Sequence, residues 1–240
     1  MALSAKIASW IKAQVAGAGA KGCVVGLSGG IDSAVVALLC QKAFPEDTLT
    51  LLLPCHSLPA DMDSARQFAE RFKLIFVSPD LTAVFDQLYQ ALEGETYGGQ
   101  TDLPTCNLKP RLRMAALYYY ARKLNYLVVG TGNKSELEMG YFTKYGDGGV
   151  DLLPLGDLLK TEVRALAGEL AVPQEYIEKA PSAGLWAGQT DEGEMGITYE
   201  ELDAILAGKG GDQQKAALVD QRRQASEHKR RPVPIFKVPG

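Results

Sequence analysis

Short apolar runs alternate with stretches of helical spacing along most of this chain. Residues 23–25, 48–53, 74–77 and 126–129 read as buried strands. Between them, apolar side chains recur every three or four positions. Ile31, Val35, Leu38 and Leu39 mark a helix over 31–44, and similar spacing predicts helices over 63–72, 81–92 and 108–124. Pro110 is compatible with a helix only near its start, so the last of these begins around Asn107 as N-cap. A docking helix over 3–15 precedes the first strand, with Leu3, Ile7, Trp10, Ile11 and Val15 on one face. After residue 130 the pattern changes. A glycine-rich loop over 141–155 with a short fifth strand is followed by helices over 157–170 and 174–179. An aperiodic, flap-like stretch covers 181–196, with helices over 199–206 and 212–228 and an extended end over 231–236. Strands alternating with helices at this spacing predict an α/β protein with a parallel sheet and right-handed crossovers.

Composition narrows the class. At 240 residues the chain accommodates one large α/β domain, with at most a small appendage. It is 46% hydrophobic and 22% charged, with a formal net charge of −4, which argues against a bulk nucleic-acid binder but not against a local basic patch. The four cysteines lack zinc-ligand spacing, and Cys23 and Cys40 sit in apolar runs, as buried thiols in a reducing compartment would. No run reaches membrane-spanning length and the amino terminus lacks the layout of a signal peptide, so the expected location is cytoplasmic.

Candidate chemistry concentrates at the carboxyl ends of the strands, where ligands bind in such sheets. Gly26-Leu27-Ser28-Gly29-Gly30-Ile31-Asp32-Ser33 runs from strand to glycine turn to helix start. Unpaired N–H groups and the helix dipole favour an anion there, and the glycines let a phosphate approach the backbone. Asp32 would repel that phosphate unless Mg2+ lay between them. The plainer alternative is a glycine turn whose Asp32 or Ser33 caps the helix. Thr131 and Glu136 follow the fourth strand. Glu136 is either a second metal carboxylate or a first-turn acid favoured by the dipole. The stretch 142–151 joins Lys144, Asp151, an aromatic pair and several glycines, a composition suited to gripping a polar ligand. Lys160 stands where a helix begins, either facing an anion or simply exposed. Arg222-Arg223 and Glu227-His228-Lys229-Arg230-Arg231 form a basic run that is a solvated face, a polyphosphate clamp or an RNA contact. The Tyr118-Tyr119-Tyr120 triplet reads as helix packing with one ring exposed.

The Ser28–Ser33 turn resembles the S-G-G-x-D-S loop of the ATP pyrophosphatases, which cleave ATP between its α and β phosphates, and it lacks the lysine of a Walker A loop. With Val129-Gly130-Thr131-Gly132-Asn133-Lys134-Ser135-Glu136, Gly140-Tyr141-Phe142-Thr143-Lys144-Tyr145-Gly146-Asp147-Gly148, Leu155-Gly156-Asp157-Leu158-Leu159-Lys160-Thr161, Lys179-Ala180-Pro181-Ser182-Ala183-Gly184-Leu185-Trp186 and Glu227-His228-Lys229-Arg230-Arg231-Pro232, the chain resembles the ammonia-dependent NAD synthetases from about Val24 to Pro232.

The resemblance implies an adenine nucleotide α-hydrolase-like fold, a doubly wound five-stranded parallel sheet with flanking helices, in a single domain over 1–240 that acts as a homodimer. It implies a ligase that uses ATP to activate the nicotinate carboxylate of deamido-NAD and ammonia to form NAD. Carried over by residue, Gly26, Leu27, Ser28, Gly29, Gly30, Ile31, Asp32 and Ser33 bind ATP together with Thr131, Lys160 and Ser182. Asp32 and Glu136 hold magnesium, and Asp32 and Lys160 serve the chemistry directly. Arg111, Lys144, Asp151, His228 and Lys229 bind deamido-NAD, and residues 186–194 form the flap. Pro110 stands where many relatives carry alanine, and Leu53 where some carry arginine before Pro54. The length leaves no room for a glutaminase domain, so ammonia comes free or from a separate glutaminase, with no membrane or nucleic acid involved. Two alternatives retain the nucleotide loop. One is an RNA-modifying adenylating enzyme, against which the acidic balance counts. The other is a nucleotide sensor, against which the retained Asp32 and Glu136 count.

Overall fold

The computed structural model describes residues 1–182, 184, 186 and 188–238. In chain order its elements are α1 (Leu3–Gly17), β1 (Gly22–Gly26), α2 (Ile31–Ala43), β2 (Thr48–Leu51), α3 (Pro59–Arg71), β3 (Phe76–Val77), α4 (Thr82–Glu93), α5 (Leu103–Cys106), α6 (Leu108–Leu124), β4 (Tyr126–Val129), α7 (Lys134–Met139), α8 (Lys160–Glu169), α9 (Gln174–Glu178), α10 (Asp191–Met195), α11 (Tyr199–Leu206), α12 (Gln213–Ala225) and α13 (Glu227–Arg230). The strands form one parallel sheet in the order β3-β2-β1-β4, with Val24 of β1 opposite Leu49 and Val128. Strand order reverses at β1, which places a crevice between the carboxyl ends of β1 and β4.

The five-stranded expectation is met only as four strands among the described residues. Beside β4 there is a single parallel bridge, Val129 to Leu152. A carboxylate takes the place of a further ladder carbonyl. Asp151 Oδ2 accepts the Val128 N–H at 2.8 Å, while the Asp151 and Leu152 amides both donate to the Val128 carbonyl. Pro154, with no N–H, follows at once.

Helices cover both faces. On one, α2 is wedged between the sheet and α1 and α8, and it is buried on nearly all sides, from Ser33 and Ala34 to Cys40. On the other, Leu117, Tyr118, Tyr120 and Ala121 of α6 pack against Val24, Leu49, Leu51 and Val128, while Tyr119 is exposed. All four cysteines are buried free thiols. No helix among the described residues is long and apolar enough to cross a membrane.

The face of α1 differs from expectation. It buries Ser4, Ala8, Ile11 and Val15, and Trp10 is 41% exposed. Small residues at positions 4 and 8 let this helix dock closely. The docking is fixed by Lys42 Nζ to Ser4 Oγ at 2.9 Å and by the Ser4 amide to Glu169 at 3.0 Å. Helix α3 starts ahead of position 63 because Pro59 is preset for a first turn and Asp61 follows it there. The expected helix over 212–228 breaks at Ser226. Its hydroxyl donates back to the Arg222 carbonyl at 2.7 Å, and α13 leaves from there.

Candidate active site

The turn after β1 is shaped by its own serines. Ser33 Oγ donates to the Gly30 carbonyl at 2.9 Å and accepts from the Ser28 amide at 3.1 Å, and the Gly30 amide donates to Ser28 Oγ at 3.3 Å. Gly29 has φ +81°, and a Cβ there would lie 2.8 Å from the Asp61 carbonyl oxygen, so glycine is required twice over. No side chain caps α2, whose N-cap is Gly30. The capping role considered for Asp32 or Ser33 is therefore not taken up, and the start of α2 keeps its affinity for an anion.

Next to this turn, charged side chains from several segments meet. Asn133 and Glu136 form a capping box at the start of α7. The Asn133 side chain accepts the Glu136 amide at 3.0 Å, and Glu136 Oε2 accepts the Asn133 amide at 3.2 Å. Asn133 Nδ2 also donates to Asp32 Oδ1 at 2.9 Å. The Lys160 ammonium bonds Asp32 Oδ2 and lies 3.3 Å from Glu136 Oε1. The Tyr199 hydroxyl lies 3.0 Å from Asp191 Oδ2 and 3.4 Å from Glu136 Oε1, and its ring sits under the ammonium with the centroid at 4.8 Å. Ser135 and Asp203 fix the start of α8. Ser135 Oγ accepts the Lys160 amide at 3.0 Å and donates to Asp203, which accepts the Thr161 amide at 2.8 Å.

Lys160 is 1% exposed, so the exposed-lysine alternative is overturned. Asp157, its neighbour in sequence, instead pairs with Lys134 at 2.9 Å. Burial alone would lower the Lys160 ammonium, but Asp32 and Glu136 outweigh it and hold its pKa above the ordinary value. Burial and the Asp32 carboxylate push Glu136 up to about 7, with Lys160 opposing. Burial also raises Asp191, whose Oδ1 is buried without a hydrogen-bond partner.

Two like-charged acids facing one point favour added positive charge. Among the described residues no group of three His, Cys, Asp or Glu side chains is disposed to hold a metal. Magnesium, however, takes only one or two protein carboxylates and completes its shell with phosphate and water. Asp32 and Glu136 fit that requirement.

The NAD synthase family model matches residues 3–233. The chain belongs to that family. It is 50% identical over 226 residues to the NH3-dependent NAD(+) synthetase of Carboxydothermus hydrogenoformans, covering 94% of this chain and 93% of the relative. It is 46% identical over 244 residues to that of Archaeoglobus fulgidus, covering 97% and 95%. Among solved structures it is similar to the NMN synthetase of Francisella tularensis, with a TM-score of 0.92 and 38% identity over 98% of both chains. The NH3-dependent NAD synthetase of Campylobacter jejuni, solved with a nitrate ion, has a TM-score of 0.81 and 30% identity, again over 98% of both chains.

The residues that the NAD synthase resemblance singles out fall into two groups and some outliers. Asp32, Glu136 and Lys160 converge beside the turn over 26–33. Lys144, His228 and Lys229 meet where α13 docks on the turn after α7. Lys144 Nζ donates to the His228 carbonyl at 2.7 Å, and Lys229 Nζ to the Gly140 and Phe142 carbonyls at 2.8 and 2.9 Å. Burial lowers the Lys229 ammonium. Asp151 is engaged by the Tyr118 hydroxyl at 3.0 Å and by the Val128 amide. Arg111 is exposed on α6, Thr131 is half-buried after β4, and Ser182 Oγ accepts the Gly184 amide at 3.1 Å. Of the expected flap and its leading motif, Ala183, Leu185 and Ala187 lie outside the described residues.

Four residues at the site were not singled out from sequence. Asn133 and Glu136 have capping-box spacing, which would have flagged Asn133. Lys179 lies inside a quoted motif. Asp191 and Tyr199 carry no local signal.

Proposed function

We propose that this chain is an NH3-dependent NAD synthetase, a ligase that converts deamido-NAD, ATP and ammonia to NAD, AMP and pyrophosphate. The observation that supports it best is the convergence of Asp32, Glu136 and Lys160 beside an uncapped glycine turn, in a chain half identical to an NH3-dependent NAD(+) synthetase. A nicotinate carboxylate oxygen attacks the α-phosphorus of ATP. The bond from that phosphorus to the bridging oxygen breaks, and pyrophosphate leaves with the electron pair. Ammonia then attacks the acyl carbon of the adenylate, one proton is lost from nitrogen, and AMP departs with the electrons of the C–O bond.

The turn over 26–33 presents backbone N–H groups to the phosphates, where fixed donors stabilise developing charge. Thr131, Lys160 and Ser182 complete the ATP site. Asp32 and Glu136 would hold Mg2+, which when bound neutralises phosphate charge. With its ammonium shared between these acids, Lys160 orients them. Arg111, Lys144, Asp151, His228 and Lys229 receive the dinucleotide, and closure of 186–194 keeps water from the adenylate. In this reading residues 1–240 work as one domain, as a cytoplasmic homodimer, with ammonia free or from a separate glutaminase. The RNA-modifying and sensor readings have no comparable support.

A second reading follows from the Francisella tularensis NMN synthetase. The same two steps on the shorter nicotinate mononucleotide would give NMN. The test is purified protein with ATP, Mg2+ and ammonium, supplied with either deamido-NAD or nicotinate mononucleotide and monitored for amide product and pyrophosphate. Stoichiometric NAD and pyrophosphate are expected. No amide from deamido-NAD overturns the main reading, and preference for the mononucleotide selects the second.

A further inference from the structure

The reaction must balance the charge of a polyphosphate, and Lys160, which also answers two carboxylates, does not do so by itself. Lys160 sits between two carboxylates, Asp32 and Glu136, and carries no surplus positive charge. The cation bonded to the turn itself is Lys179, just beyond α9. Its Nζ lies 3.4 Å from the Gly29 carbonyl and 2.8 Å from Asp61 Oδ1. Asp61 belongs to the first turn of α3, which packs so closely on Gly29 that its own carbonyl excludes a Cβ there. One ammonium therefore ties three segments together: the glycine turn, the start of α3 and the carboxyl end of α9. Lys179 and Asp61 are 37% and 29% exposed, so their ion pair is readily exchanged. A phosphate oxygen is a stronger partner than a carboxylate with a single charge, and it competes for the same ammonium.

We infer that Lys179 is a second phosphate-binding cation of this site, beside Lys160, and that Asp61 is its exchangeable partner, giving it up to the β and γ phosphates of ATP. The inference rests on the ATP reading above. As the bond between the α and β phosphates breaks, the charge that Lys179 faces grows, so it favours departure of pyrophosphate as well as binding.

Binding of Mg2+-pyrophosphate and Mg2+-ATP, measured by calorimetry on the whole chain, tests this without the amide acceptor. Lys179→Met is expected to weaken both about ten- to a hundredfold, as loss of a charge-assisted bond does, and Lys179→Arg to recover most of it. Asp61→Asn, which frees the ammonium, is expected to bind as tightly as the parent or severalfold more tightly. A bracket that merely shapes the turn predicts the opposite, with Asp61→Asn weakening binding as Lys179→Met does. That result overturns the inference, as does unchanged binding by Lys179→Met. Should Lys179→Met fail to fold by thermal melting, Asp61→Asn and Lys179→Arg still decide between the two. A parent protein that binds neither ligand removes the ATP reading itself, whereas a parent that binds while the variants match it removes only the role of Lys179.

Discussion

The corner around Lys160 and the docking of α13 on the turn after α7 both depend on lysines, and they use them differently. At the corner, side chain meets side chain out of water. The Lys160 ammonium faces Asp32 and Glu136, while Asn133 and Tyr199 supply further contacts. Around α13, side chain meets backbone. Lys229 donates to the Gly140 and Phe142 carbonyls, Arg230 to Leu137, and Lys144 to His228. The first arrangement is costly to break, because removing one charge strands another in a buried place. The second sets uncharged carbonyls against the cations, so breaking one contact leaves no carboxylate facing another, and it costs less. The corner around Lys160 is thus preorganised, and the docking of α13 is suited to adjustment.

Four substitutions test that contrast, in falling order of effect. Lys160→Met leaves Asp32 and Glu136 facing each other without their cation. Urea unfolding should show a loss of about 3–5 kcal/mol, with no detectable pyrophosphate release. A loss below about 1 kcal/mol would mean the corner is no more cohesive than a surface pair. Asp32→Ala keeps Lys160 paired with Glu136, so folding should survive while pyrophosphate release falls about a hundred- to a thousandfold. Normal turnover would refute the metal assignment.

Gly140→Ala acts between the two regions. Its Cβ would lie 2.0 Å from Ser226 Cβ at a backbone φ of +63°, which should push the α12–α13 elbow off the turn. A cost of about 1–3 kcal/mol is expected, with a raised KM for deamido-NAD and a smaller change in that for ATP. Lys229→Met should have the least effect on stability, within about 1 kcal/mol, while raising the dinucleotide KM severalfold. An equal rise in the ATP KM would show that the two regions are not independent.

Much of this molecule was legible locally. The run over 126–129 and the spacings over 108–124 and 199–206 coincide with β4, α6 and α11, because strand and helix periodicities are properties of neighbouring residues. The glycines of the first turn, Glu136 after the fourth strand and Lys160 at a helix start were legible for the same reason, whereas Asn133, marked only by its capping-box spacing to Glu136, was not singled out. Other features were hidden. Trp10 pointed to the wrong face of α1, since Ser4 and Ala8 are buried by what docks on them rather than by their own polarity. The fifth strand shrank to one bridge because the Asp151 side chain occupies the ladder.

From sequence alone, then, came the alternation of strands and helices, the glycine turn after the first strand, the absence of membrane-length apolar runs and the family. Tertiary structure alone decided which charge answers which. Lys160 chose Asp32, 128 positions away, over nearby Asp157, and Asn133 reached Asp32 across 101 positions. Backbone periodicity is set by covalent neighbours, whereas hydrogen bonds and ion pairs act over a few ångströms of space whatever the distance along the chain.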